Sequence, residues 1–259
     1  MINEFKDKVV VVTGAASGIG KTVVAELIKR EAKIIAVDLN EEQMKQSLQH
    51  VETNRYRMVQ ADICNEVDRQ NILHEACEFG EVNYLVNAAG ITGMKNIFQV
   101  TEGNWDRIQN VNAKACFFMC QLFGAYWLEQ GIQGSIVNFA SSAGKTSATA
   151  ENAAYSASKA SVISITKTFA YVLASSGSRV NCVCPGIILT PMADTVLQQL
   201  SQERGISQDE IARSRLKTVP MGREGTSEEV SSVVLFLLSD AASYMTGQAI
   251  NITGGLVMN

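Results

Sequence analysis

Apolar runs and helix-periodic stretches alternate along this chain. Val9–Val12 is a continuous β-branched run, as expected of a strand covered on both faces. A glycine-rich turn follows, then an amphipathic stretch that predicts a helix to about Arg30. The same rhythm predicts further strands at Lys33–Asp38, Arg57–Ala61, Tyr84–Asn87, Ser135–Phe139, Arg179–Cys184 and Ala249–Ile252. Helices are predicted near Glu41–His50, Glu66–Glu78, Trp105–Glu129 and Ala153–Ser175. Thr226-Ser-Glu-Glu229 has capping-box spacing and opens a last helix to Leu238. Strands alternating with helices imply an α/β fold: a Rossmann-like, doubly wound and mainly parallel seven-stranded sheet with helices on both faces. No repeat, linker or composition break divides the chain, so residues 1–259 read as one dinucleotide-binding and catalytic domain. Only Leu189–Arg223 resists the rhythm. It is polar and partly helical, and residues 189–223 are expected to form a substrate-binding insertion.

Composition narrows the function classes. The chain has 259 residues, 46% of them hydrophobic, which is enough for one large core. A net charge of −4 without a basic block argues against a nucleic-acid partner. No apolar run approaches the roughly 18 residues of a membrane helix, and the start lacks the features of a signal peptide. The expectation is a cytoplasmic protein with no membrane association. Cys64, Cys77, Cys116, Cys120, Cys182 and Cys184 include no Cys-x-x-Cys and are expected to be free thiols, mostly small buried hydrophobes. With only His50 and His74, a metal site or a Ser-His-Asp triad has little material, and no metal is expected.

The turn Thr13-Gly14-Ala-Ala-Ser17-Gly18-Ile19-Gly20 has a strand before it and a helix after it. Glycines let backbone approach a pyrophosphate, and the helix N-terminus offers free N–H groups and partial positive charge. Asp38 lies at the end of the next strand, 20 positions after Gly18. A carboxylate there accepts both ribose hydroxyls of an adenosine and repels a 2′-phosphate, so NAD is the expected cofactor. The structural alternative is that Asp38 merely caps the next helix. Gly20-Lys21-Thr22 ends like a nucleotide-triphosphatase P-loop, but Ala15 stands where that motif needs glycine.

Tyr155-Ser-Ala-Ser-Lys159 opens an apolar-periodic helix, and i, i+4 spacing puts Tyr155 and Lys159 on one face. Oxidising an alcohol removes a hydride and a hydroxyl proton, so a base is needed. An ordinary tyrosine titrates near 10. Bringing it to neutrality takes roughly 4 kcal/mol, which an adjacent ammonium and a positive nicotinamide are placed to supply. Ala140-Ser141-Ser142 closes a strand upstream, at the end of the sheet where such folds bind ligands.

Together these segments resemble the short-chain dehydrogenase/reductase family over essentially the whole length. Thr13-Gly-x-x-x-Gly-x-Gly20 matches its cofactor turn, and Asn87-Ala88-Ala-Gly90 is similar to its sheet-supporting segment. The resemblance implies a catalytic tetrad. Tyr155 is the acid/base, Lys159 binds the nicotinamide ribose and tunes Tyr155, Ser141 polarises the substrate oxygen, and Asn112 anchors a water relay. It also implies cofactor contacts from Gly14, Ser17, Gly18, Ile19, Gly20, Asp38 and Leu39, from Asp62 and Ile63 beside the adenine, and from Asn87, Ala88 and Gly90. Tyr155 and Lys159 again, with Pro185, Gly186, Ile188 and Thr190 near the nicotinamide, complete the set. Ser142 would restore a commoner spacing to Tyr155, but the count along the strand from Gly134 favours Ser141. Ala88 replaces the family's usual second asparagine, and Thr253-Gly-Gly its commoner Asp-Gly-Gly. Family members of this kind are usually homotetramers.

For the substrate, Gly131–Gly134, Ser142–Lys145 and Ser243–Met258 resemble sorbitol-6-phosphate dehydrogenase and related polyol dehydrogenases of the family. The expected reaction is NAD(H)-dependent interconversion of a secondary alcohol and a ketone on a polyol or polyol phosphate. A β-keto thioester, keto acid or cyclic ketone is the enzymatic alternative. A nucleotide-sensing or scaffolding protein is the non-enzymatic one, and an intact tetrad speaks against it. Lys145 is a candidate for an anionic substrate group, as are Arg204, Arg213, Arg215 and Lys217. Ion pairing of the arginines with Glu203, Asp209 and Glu210 on a solvated helix face is the plainer reading.

Overall fold

A computed structural model describes residues 4–146 and 149–259. Seven strands are present: β1 (Val9–Thr13), β2 (Lys33–Asp38), β3 (Tyr56–Gln60), β4 (Val82–Asn87), β5 (Ser135–Phe139), β6 (Arg179–Pro185) and β7 (Ala249–Ile252). They form one sheet in the order β3-β2-β1-β4-β5-β6-β7, and every pairing is parallel. This is the Rossmann-like doubly wound arrangement expected from the alternation. The order reverses direction between β1 and β4, which opens a crevice at the strand C-termini.

The β-branched runs are explained by two cores. Val10 and Val12 of β1 face one apolar cluster, with α1 (Gly18–Ile28), α2 (Glu41–Leu48) and α10 (Ser227–Leu238) packed over it. Val9 and Val11 face the other, covered by α3 (Glu66–Phe79), α5 (Ala115–Gln130) and α7 (Ala153–Leu173). Trp127 of α5 is fully buried there and donates its indole N–H to the Val82 carbonyl at 2.8 Å.

Three elements depart from expectation. The single helix expected over Trp105–Glu129 begins earlier as α4 (Glu102–Gln109), capped by Thr101, and reaches α5 through a wide helical turn at Asn110–Lys114. There the Ala115 N–H bonds the Asn110 carbonyl, one residue beyond the usual partner. A four-residue helix, α6 (Ala143–Thr146), follows β5. The insertion is an antiparallel hairpin of α8 (Pro191–Arg204) and α9 (Gln208–Leu216), opened by Thr190 as N-cap and by a Ser207/Glu210 capping box. Val196, Leu200 and Ile211 form a small satellite core against Met94 and Leu197. Among the described residues no helix is long and apolar enough to cross a membrane.

Candidate active site

The glycine turn is shaped by the absence of side chains. Gly14 has φ +71°, and a Cβ there would lie 2.8 Å from the Ala89 nitrogen. A Cβ on Gly20 would lie 2.2 Å from the Gly14 carbonyl oxygen. Both positions are thus closed to larger residues, and α1 starts directly behind the turn. Ser17 is its N-cap but makes no side-chain cap bond, and the first turn carries no acid. A hydroxyl and free N–H groups therefore point to one anion-compatible end. A Cβ built on Gly18 would sit 3.7 Å from Thr190, so the start of the insertion faces this turn across a narrow gap.

Asp38 does not cap α2, because Asn40 does. Its carboxylate instead accepts from the Ala16 N–H and the Asn40 N–H, each at 3.0 Å. This fixes the acid beside the glycine turn, while Leu39 next to it is 65% exposed and brings no cation. Asp62 and Ile63 follow β3. The Asp62 carboxylate accepts from Cys64 N–H at 2.9 Å, and the Ile63 carbonyl accepts from Arg69 at 2.8 Å. Arg69 is buried against Phe118 and holds this loop. Sequence reading overlooked it, since nothing local distinguishes it from other helix arginines.

Asn87 supports the sheet in a specific way. Its amide donates to the Asn138 side-chain oxygen at 2.9 Å, and Asn138 donates to Thr166 at 3.0 Å. The chain β4–β5–α7 thereby aligns the strand ends with the helix that bears Tyr155 and Lys159. Ala88 turns its methyl toward Gly20. Gly90 lies between Asn112 and Lys159: a Cβ there would be 3.3 Å from both Asn112 Oδ1 and Lys159 Nζ.

Tyr155 is half-buried, and Lys159 Nζ lies 5.7 Å from its ring centroid. The Ser141 hydroxyl lies near Tyr155 and accepts from the Ala143 N–H at 3.2 Å. The Ser142 backbone donates to the Pro185 carbonyl and accepts from Thr146. Burial raises the Tyr155 pKa above its ordinary value, and the Ser141 hydroxyl only partly opposes this. Burial also pulls Lys159 down to about 8, and its ammonium donates to the Phe139 carbonyl at 2.7 Å. The expected lowering of the Tyr155 pKa drew on the ammonium and a bound nicotinamide together; in the protein alone the shift is upward. Desolvation of the phenolate dominates, and the lysine charge is partly spent on a carbonyl.

Asn112 is buried in the wide helical turn. Its oxygen accepts from Ile91 N–H at 2.9 Å, and its amide donates to the Ile91 carbonyl and the Ser158 hydroxyl, each at 3.0 Å. The side chain is therefore engaged in holding the segment after Gly90. Pro185 ends β6, and Gly186 packs so closely on Thr253 that a Cβ would lie 3.0 Å from its Cα. Ile188 forms a bridge to Gly225. Thr253 both donates to and accepts from the Val257 backbone, at 3.1 and 3.2 Å, and so closes the last turn.

The proposed anion-binding cations separate. Lys145 donates to the Ala249 and Asn259 carbonyls, each at 3.0 Å, and ties α6 to β7 rather than presenting a free charge. Arg204 makes a two-pronged contact with Glu151, 2.9 Å on each arm, and not with the acids of its own hairpin. Glu203 pairs instead with Lys95, and Glu210 closes the Ser207 cap. Met94 N–H donates to Gln199 at 2.9 Å, so the hairpin is fastened to both the 94–96 strip and residue 151. Among the described residues, Thr92 Oγ1 and Asn152 Oδ1, on the same two segments, are buried without a partner.

Comparison with known proteins agrees with this geometry. Residues 14–257 match the family model described as enoyl-(acyl carrier protein) reductase. The chain is 39% identical over 256 residues to 3-oxoacyl-[acyl-carrier-protein] reductase FabG of Thermotoga maritima, covering 97% of this chain and 98% of that protein. It is 34% identical over 250 residues to NAD-dependent glycerol dehydrogenase of Listeria innocua, covering 96% and 93%. The crystal structure of levodione reductase superposes with a TM-score of 0.90 at 30% identity, covering 97% of this chain and 98% of that one. The sheet order, the glycine turn and these whole-length similarities together establish that the chain is an oxidoreductase belonging to the short-chain dehydrogenase/reductase family.

Proposed function

We propose that this protein interconverts a secondary alcohol and a ketone with NAD(H), acting on a polyol or polyol phosphate. The observation that carries the reading is that Asp38 is fixed beside the glycine turn, which packs on Ala89, while Gly90 just after it meets Lys159 of α7, near Tyr155. The cradle fits a dinucleotide: Gly14 and Gly20 leave room for phosphates, the free Ser17 hydroxyl meets them, and Asp38 takes the adenosine ribose. Asp38 with uncharged Leu39 supports NAD over NADP. NAD⁺, when bound, supplies the hydride acceptor and a positive ring near Tyr155.

In this reading the phenol oxygen of Tyr155 takes the substrate's hydroxyl proton. Ser141 donates to the substrate oxygen and keeps it in line with Tyr155. Lys159 steadies the phenolate and the nicotinamide ribose, and the wide turn at Asn112 holds the water that returns protons to solvent. The whole chain acts as one domain with the α8–α9 hairpin above the substrate. Exposed Leu128 of α5, Tyr171 and Val172 of α7, and Tyr244 and Met258 near β7 support a homotetramer, since copies of the chain would cover them. Free cysteines suit a cytoplasmic setting.

The test is absorbance of reduced nicotinamide with polyols, polyol phosphates and small secondary alcohols, with NAD⁺ and NADP⁺ in parallel. NAD⁺-dependent turnover that disappears in Tyr155→Phe supports the proposal; preference for NADP⁺ or an active mutant defeats it. A second reading, reduction of a β-keto thioester, keto acid or cyclic ketone, is favoured by the 39% identity to the 3-oxoacyl reductase. It is separated by running the reverse reaction on such ketones.

A further inference from the structure

The five cations of the insertion do not share one environment. Arg204 is held by Glu151 and Arg223 by Glu229, and Arg213 and Lys217 are exposed. Arg215 differs from the other four. It is half-buried, and among the described residues it has neither an ion pair nor a side-chain hydrogen bond. Burial lowers its pKa, with Glu224 near enough to oppose this and Arg204 to reinforce it, yet neither is in contact. A guanidinium taken out of water without a counter-charge is a net cost to the fold.

Its position says what such a cost could serve. Arg215 is one turn beyond Ile211 on α9, so the two share a face. Ile211 is 1% exposed and rests with Val196 and Leu200 on Met94. Met94 continues the segment that Asn112 clamps at Ile91, beside Lys159. On the other side, Glu224 adjoins Gly225, which bridges Ile188, and Thr190 faces Gly18. Arg215 therefore lies on the face of α9 that carries Ile211, with Glu224, next to the Gly225–Ile188 bridge, within electrostatic range.

We infer that Arg215 is a substrate-recognition residue that binds an oxyanion, phosphate or carboxylate, carried on the substrate away from its reacting carbon. This rests on the reading of the crevice as an alcohol-oxidising site. It narrows the substrate class to anionic polyols and replaces Lys145, whose donors are turned to carbonyls, as the charge reader.

The test compares wild type with Arg215→Gln and Arg215→Lys on three probes: a neutral hexitol, its 6-phosphate and the corresponding hexonate. Losing a charge-assisted fork predicts a KM for one or both anionic probes raised about 10- to 100-fold more than that for the hexitol. Partial recovery is expected in Arg215→Lys, and the two anionic probes distinguish phosphate from carboxylate. Melting with and without inorganic phosphate gives a second readout. Arg215→Gln is expected to melt no lower than wild type, having lost an unpaired half-buried charge, and to lose part of the stabilisation by phosphate. Equal KM changes on all probes, or a lower melting point with an unaltered phosphate response, overturn the inference and make Arg215 structural. If wild type oxidises none of the probes, the proposed activity fails and the melting pair alone decides: a diminished phosphate response supports an anion site, and an unchanged one refutes it.

Discussion

Replacing Lys159 with Met should make the protein more stable at neutral pH while abolishing its turnover. The magnitude follows from the environment of the ammonium. Lys159 is 4% exposed, and burial takes it from the ordinary 10.5 to about 8. At 1.36 kcal/mol per tenfold change in proton affinity, its protonated form disfavours folding by about 3 kcal/mol at pH 7. Methionine fills a similar volume without charge but leaves the Phe139 carbonyl without this donor, which costs about 1–2 kcal/mol. The net gain expected is about 1–2 kcal/mol. Its pH dependence has a definite sign. The folded-state value lies below the unfolded one, so the penalty is fully present below pH 8 and is relieved as pH rises toward 10.5. Urea unfolding followed by fluorescence of buried Trp127 from pH 7 to 10 is the assay. The mutant's advantage should be largest at pH 7 to 8 and shrink above it. A mutant less stable at pH 7, or an advantage independent of pH, would refute the reasoning and place Lys159 among residues that hold the fold.

Three further outcomes are expected. Asp38→Ala removes an acceptor fixed beside the glycine turn; kcat/KM for NAD⁺ should fall about 10- to 100-fold and that for NADP⁺ should rise, read from initial rates with both. Gly20→Ala drives a methyl to 2.2 Å from the Gly14 carbonyl, so dinucleotide affinity should drop at least about tenfold in titration calorimetry, with near-native far-UV circular dichroism if α1 shifts rather than unfolds. Arg204→Ala breaks a partly exposed pair, so it should cost less than about 1 kcal/mol while raising KM more than it lowers kcat. The Arg204 side chain holds the Glu151 carboxyl below its ordinary 4.5, so this small contribution is complete above that value and is lost as pH falls through the depressed one.

Much of this architecture was legible along the chain because a buried parallel strand must be apolar throughout. Lys33–Asp38, Ser135–Phe139 and Ala249–Ile252 fall on strands at the expected bounds. The wide turn at Asn110–Lys114 was not legible, since helical periodicity is the same on both sides of it and its partner Ile91 is distant in sequence. The Ser207/Glu210 cap could have been recognised by the spacing that revealed Thr226/Glu229. At the site, i, i+4 spacing was enough to bring Tyr155 and Lys159 together. The partners that set their chemistry were hidden by separation. Phe139 lies 20 residues from Lys159, Ala249 lies 104 from Lys145, and Glu151 lies 53 from Arg204. Charge alone did not separate Arg215 from Arg204, Arg213 and Lys217; only burial and pairing distinguish it.

The all-parallel sheet also governs how the molecule is reached from its unfolded chain. No pairing in it can be nucleated by a hairpin, because parallel neighbours need a long crossover. Joining β1 to β4 aligns Val9 with Val82 before either strand is covered by its helices. Chain closure is thus required before packing rewards it, which makes refolding slow and leaves apolar strand edges open meanwhile. Recovery of native protein after dilution from denaturant should therefore fall as protein concentration rises and improve when a chaperone shields those edges.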